Sequence, residues 1–123
     1  MRIRALAFPL FTTYTHLTHL YLNHNDLPVL PPPIEYLTQL THLDLSKNRL
    51  TTLPPQLGRL SNLKQLLVFD NLLSELPWEM GWLKLLDVLG LAGNPLGEGM
   101  MGLLETEGPQ AVVRWLRDAA PGT

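Results

Sequence analysis

Apolar residues return along this chain at one fixed interval. Leu17, Leu40, Leu63 and Leu86 stand 23 residues apart, and each is followed in the same register by a pair two apart: Leu20 with Leu22, Leu43 with Leu45, Leu66 with Val68, Leu89 with Leu91. A spacing of two puts both members of a pair on one face of an extended strand. The pattern therefore predicts four short strands, each turning its apolar pair toward a shared interior. An asparagine follows every pair, at Asn25, Asn48, Asn71 and Asn94. A side-chain amide offers two donors and an acceptor, so this column is expected to satisfy backbone groups where the chain leaves each strand. Its role is structural.

Written out, the four segments are LTHLYLNHNDL from Leu17, LTHLDLSKNRL from Leu40, LKQLLVFDNLL from Leu63 and LDVLGLAGNPL from Leu86. All follow L-x-x-L-x-L-x-x-N-x-L, the leucine-rich-repeat pattern. One such repeat cannot bury its apolar side, whereas stacked repeats build a continuous parallel sheet and a continuous core. Beyond each asparagine come Leu30-Pro31-Pro32-Pro33-Ile34, Leu53-Pro54-Pro55-Gln56-Leu57 and Leu76-Pro77-Trp78-Glu79-Met80. Proline presets a first helical turn there, and Ile34 with Leu37, Leu57 with Leu60 and Met80 with Leu83 are spaced to close the core from the convex side.

The fold class is α/β, a solenoid of about four 23-residue repeats with a parallel concave sheet. Its open ends need covers. Residues 1–16, with Ile3, Leu6, Phe8, Leu10 and Phe11, read as an N-terminal cap, residues 17–96 as the repeats, and residues 97–119 as a helical C-terminal cap. That last part reads as a helix from Glu98 to Glu107 and a second one beginning at Pro109. In the second helix Ala111, Val112, Trp115, Leu116 and Ala119 form an apolar stripe, expected to lie over Leu89, Leu91 and Leu96. The whole chain is one domain, expected to be monomeric.

If the paired leucines point inward, the third, fifth and seventh positions of each repeat point out of the concave sheet, with the eighth at its edge. The third column is then His19, His42, Gln65 and Val88, and the fifth is Tyr21, Asp44, Leu67 and Gly90. The seventh is Asn23, Ser46, Phe69 and Ala92, and the eighth is His24, Lys47, Asp70 and Gly93. Leu67, Phe69, Tyr21 and Val88 are apolar or aromatic where the fold itself has no need of them. With His19, Asn23, His42, Asp44, Lys47 and Asp70 around them they form a protein-docking grid of anchors and polar rim.

Composition narrows the class further. Nine basic and eleven acidic residues leave a net charge of −2 without a run of one sign, which gives no electrostatic footprint for nucleic acid or an anionic membrane. Leucine supplies 30 of the 123 residues, so one structural use of leucine dominates the chain. There is no cysteine and no Asn-x-Ser/Thr acceptor, which favours an intracellular repeat protein, cytoplasmic or also nuclear, over a secreted one. The basic start followed by apolar residues is broken by Pro9, against a signal peptide, and no apolar run approaches a membrane span.

The same grid carries candidate chemistry. His19 and His42 share a column on neighbouring strands, but a metal site needs a third convergent ligand, and Asp44 points to its own column. His42 with Asp44, or His24 with Asp70, can be drawn as acid–base pairs, yet an open concave sheet excludes no water. Trp78 and Trp82 could stack bases, but no basic groove accompanies them, so packing is the better reading. No catalytic, cofactor-binding or metal-binding residue is therefore assigned.

Several strings resemble one family in particular: Leu20-Tyr21-Leu22-Asn23-His24-Asn25, Phe69-Asp70-Asn71 with Leu76-Pro77-Trp78-Glu79-Met80-Gly81, and Leu89-Gly90-Leu91-Ala92-Gly93-Asn94-Pro95-Leu96. Glu107-Gly108 leading into Ala111-Val112-Val113-Arg114-Trp115-Leu116-Arg117 extends the likeness to nearly the whole chain. The chain is similar to the repeat domain of the carbon catabolite repressor deadenylases, the poly(A)-removing subunits of the Ccr-Not complex, especially the fungal ones. Ala92 and the stretch from Gly97 to Gly102 depart from that family's usual pattern. The resemblance implies a docking module for the second deadenylase, the Ccr-associated factor of the DEDD nuclease type, which sits on the Not scaffold. It also implies that a magnesium-dependent 3′-exoribonuclease domain lies elsewhere in the parent, so that this chain itself needs no cofactor. The alternative is an intracellular scaffold that binds a Ras-like GTPase or another signalling protein.

Overall fold

The structure is a computed structural model that describes residues 4–7 and 9–121. Four three-residue strands, β1 (His19–Tyr21), β2 (His42–Asp44), β3 (Gln65–Leu67) and β4 (Val88–Gly90), form one parallel sheet in chain order. Its register repeats without slippage: Leu20, Leu43, Leu66 and Leu89 are aligned across the sheet, and so are Tyr21, Asp44, Leu67 and Gly90. The chain returns from each strand through a convex 3-10 turn, at Pro32–Tyr36, Pro55–Arg59 and Trp78–Trp82. A proline at the N-terminal boundary of each turn holds extended backbone and accepts the first turn bond.

The inward columns are sealed. Leu43, Leu66, Leu45 and Val68 are wholly buried, as are Ile34, Leu37, Leu57, Leu60, Met80 and Leu83 from the convex side. All belong to one continuous hydrophobic cluster. The asparagine column does what its position predicts, and more. Asn71 Nδ2 donates to the carbonyls of Val68 in its own repeat and of Leu45 in the repeat before, both at 3.0 Å, while its Oδ1 accepts from Leu50 N–H at 3.0 Å. Asn48 makes the same set with Leu45, Leu22 and Leu27. Asn94 makes it with Leu91, Val68 and Leu73. Each amide therefore ties two repeats together as well as satisfying its own turn, replacing hydrogen bonds that buried backbone would otherwise lack.

At the N-terminal end a short helix, α1 (Pro9–Thr13), buries Phe11 completely, and Leu6 and Leu10 pack partly on the core. Ile3 and Phe8, also expected in this cap, lie outside the described residues. The seal is looser here than in the middle, because Leu20 is only half-buried where its equivalents are buried. At the other end α2 (Glu98–Glu107) and α3 (Pro109–Asp118) pack against each other.

One expectation about α3 is corrected. Ala111, Val112 and Leu116 are buried, but Val113 joins them, Trp115 is 56% exposed and Ala119 is exposed. The cause is the surface that α3 meets: it lies mainly on the convex turn Trp78–Trp82, where Gly81 lets the helix backbone approach. A Cβ on Gly81 would stand 2.5 Å from Arg117 Cα. Gln110 Nε2 donates to the carbonyls of Leu83 and Leu86, at 3.2 and 2.7 Å, and so finishes the last repeat from the convex side. With the helix turned onto that side, position 113 faces inward and position 115 faces out.

Candidate docking surface

Where the interior repeats, the concave face changes from strand to strand. On its first half, His19 and His42 stack face to face, with ring centroids 4.2 Å apart and planes within 6°. Strand register makes the stack, since both residues occupy one column of adjacent parallel strands. A threonine before each histidine steadies its ring: Thr18 Oγ1 is 2.9 Å from His19 Nδ1, and Thr41 Oγ1 is 2.8 Å from His42 Nδ1. Thr41 also donates its hydroxyl proton to the Thr18 carbonyl at 3.0 Å. A hydroxyl has one proton to give, so Thr41 Oγ1 accepts from Nδ1–H of His42. The parallel stack does not aim two ring lone pairs at one point. Among the described residues no three His, Asp or Glu side chains gather into a metal-binding group.

Beside the stack, Tyr21 stands 58% exposed, its ring edge-on to His19 at 6.1 Å. Asp44 is next to it across the sheet. Its Oδ1 accepts two bonds from Ser46, from the backbone N–H at 3.0 Å and from the hydroxyl at 2.6 Å. That pairing corrects the expectation for the seventh column: Ser46 is 1% exposed, folded under the carboxylate instead of facing out. Asn23, in the same column, is half-buried.

The second half is apolar. Leu67 and Phe69 were expected to stand clear of the sheet; they are half-buried, because both lean over β4 at Gly90. A Cβ on Gly90 would meet Leu67 Cδ2 at 3.0 Å and Phe69 Cδ1 at 3.3 Å, so the missing side chain makes the hollow in which these two settle. Val88 remains 43% exposed at the outer strand. The eighth column forms the rim. His24, Lys47 and Asp70 hold φ between 55° and 60°, and Gly93 has φ 76°, so each repeat leaves its strand through one left-handed residue. Lys47 and Asp70 are accordingly exposed on successive turns.

All ten residues proposed from sequence thus lie on or at the rim of one face. Sequence reasoning missed Thr18 and Thr41, and it placed Ser46 and Gly90 in the grid without the orienting roles they have in the structure. The repeated Thr-His dipeptide at 18–19 and 41–42 carried a signal for the first two. It also missed a groove of about 620 Å³ at the far end, walled by Leu76, Trp78, Leu96, Met100, Leu103 and Trp115. Trp78 enters it after packing edge-on against Trp82, at 5.2 Å and 83°.

Known proteins share this architecture. The leucine-rich-repeat family model matches residues 15–73. A solved leucine-rich-repeat protein of Leptospira interrogans superposes with a TM-score of 0.80 at 33% identity, over 89% of this chain and 28% of that one. The CCR4-Not complex 3′-5′-exoribonuclease subunit Ccr4 of Aspergillus niger is 63% identical over 119 residues. That match takes in 97% of this chain but only 18% of the relative's length. With the strand register, the asparagine ladder and the helical cap beside these matches, the chain is a leucine-rich-repeat domain, similar over nearly its whole length to a part of the Aspergillus Ccr4 subunit.

Proposed function

We propose that this chain is the protein-docking module of a Ccr4-type subunit in a CCR4-Not complex, and that its concave face binds the partner deadenylase, the Ccr-associated factor. The observation that carries the reading is the contrast within each strand. Leu43, Leu66 and Leu89 repeat inside, while Asp44, Leu67 and Gly90, one residue on, differ from each other on the open face. A fold that needs nothing from those positions displays aromatic and aliphatic anchors among hydrogen-bonded polar groups, the composition of an interface centre and its rim.

The name of the Aspergillus relative supplies the chemistry of the parent: removal of nucleotides from a 3′ end by a 3′-5′ exoribonuclease. In this reading the magnesium-dependent reaction on poly(A) belongs to the rest of the parent subunit, and the repeat module is the non-catalytic part. Its contribution is effective concentration. Holding two nucleases on one scaffold keeps an active site near a recruited messenger's tail without a new chemical step. Activity would lie in the cytoplasm, with the nucleus as a second location.

The test is a titration of the chain with the partner deadenylase of the same organism, followed by calorimetry, with the Leptospira repeat protein as the fold control. Saturable one-to-one binding that the control lacks, and that Phe69→Ala or Tyr21→Ala weakens, is the expected result. Wild-type affinity in both variants would reassign the face, and absence of binding by the unsubstituted chain would remove the partner.

A further inference from the structure

Across the middle of the concave sheet one row of side chains runs Tyr21, Asp44, Leu67, Gly90, in strand register. Neighbouring members are about 5 Å apart, the separation of parallel strands. From this row we infer that the docking face takes an arginine of its partner, with the guanidinium between Tyr21 and Asp44 and the aliphatic stem along Leu67. The inference rests on the docking reading above and names the chemistry of the partner at that same face.

Three observations converge on a guanidinium. The Asp44 carboxylate is held by Ser46 through Oδ1 alone, at 3.0 and 2.6 Å, which fixes the group and leaves Oδ2 as an acceptor. A carboxylate already oriented loses little entropy when a charged donor arrives, and charge-assisted bonds are the strong ones. Beside Asp44 the exposed Tyr21 ring offers a π face to a cation. Leu67, half-buried over the Gly90 hollow, offers an apolar bed for three methylenes.

A carboxylate and a ring at one end, with an aliphatic surface at the other, suit arginine better than lysine. A guanidinium is planar, stacks on aromatic rings and donates in a fork, whereas an ammonium is a compact and strongly hydrated point charge. The other charged or titratable groups around the row are His19, stacked on His42, and the rim residues His24, Lys47 and Asp70. Among the described residues Asp44 is thus the one carboxylate within the strands of the sheet, and the rim carries both signs. An acidic partner would have to meet Asp44 head-on.

The experiment has two arms. In the first, the chain is titrated with the partner deadenylase. Asp44→Asn, which keeps an Oδ1 for Ser46 but removes the charge, should weaken binding about 10- to 100-fold. Tyr21→Leu, which removes the π face and keeps an apolar side chain, should weaken binding as well, and circular dichroism should show both variants folded as before. Equal or tighter binding by Asp44→Asn would overturn the inference and favour an acidic partner. In the second arm, backbone amide shifts of the chain are followed while arginine methyl ester, then lysine methyl ester, is added. Shifts centred on Tyr21, Asp44 and Leu67, larger for arginine and lost in Asp44→Asn, support the assignment. Shifts that are absent, scattered or equal for both esters refute it. A chain that ignores the deadenylase yet answers to arginine keeps the row and discards the partner, so the two failures separate.

Discussion

The inner and outer columns of the same strands obey different rules, although they are one residue apart. Inside, Leu43 and Leu66 each meet a leucine of the same column in the repeats before and after, and Leu89 meets one at the last strand. Outside, Asp44, Leu67 and Gly90 occupy equivalent places and do unrelated things: one is a fixed acceptor, one an apolar bed, one a hollow. Repetition in a solenoid reports what stacking requires. Its interruption on a face that stacking leaves open reports what something other than stacking requires.

The contrast can be broken most severely from the inside. Leu45→Ala removes a wholly buried side chain in the central repeats and should cost about 2 to 5 kcal/mol of unfolding free energy, read from denaturant titration. Asn71→Ala should follow at about 2 to 4 kcal/mol, since it strands the Leu45 and Val68 carbonyls and the Leu50 N–H that its amide serves. Loss of that size from a polar residue would show that the ladder between repeats matters as much as the leucines. A cost below that of an exposed threonine would show that water takes its place.

Gly81→Ala tests the end of the stack. Its new Cβ would meet the Arg117 backbone at 2.5 Å, so α3 must move off the last convex turn, at about 1 to 3 kcal/mol. Faster amide exchange confined to α2 and α3 is the expected sign. Smallest for the fold, and largest for its use, is Phe69→Ala. Half-buried over Gly90, its loss should change stability by under about 1 kcal/mol while docking falls by about 1 to 3 kcal/mol. A variant that unfolds the chain instead would place Phe69 with the core and erase the distinction between the columns.

Legibility followed the same division. Leu66 and Val68 inward, Leu67 and Phe69 outward, could be read from parity alone, because a strand has only two faces and the leucine pairs claim one of them. The second-face members of the grid could be placed by the same counting. Their tilt could not. Leu67 and Phe69 lie down because a glycine 23 and 21 residues further along the chain sits under them, and Ser46 turns inward because Asp44 offers it an acceptor. In α3 the helical stripe was visible, yet whether Trp115 or Val113 would face the core depended on which surface the helix came to rest.

By itself the amino-acid sequence determined the repeat length, the parity of every strand, the asparagine column and the existence of both caps. Each follows from local periodicity and from the rule that buried backbone must be hydrogen-bonded. Only the tertiary structure decided how the histidines stack, which way Asp44 is held, where the Gly90 hollow lies and which edge of α3 is left to solvent. Those depend on side chains brought together from different repeats, and a contact between residues 23 apart has no energy until the strands that carry them lie side by side.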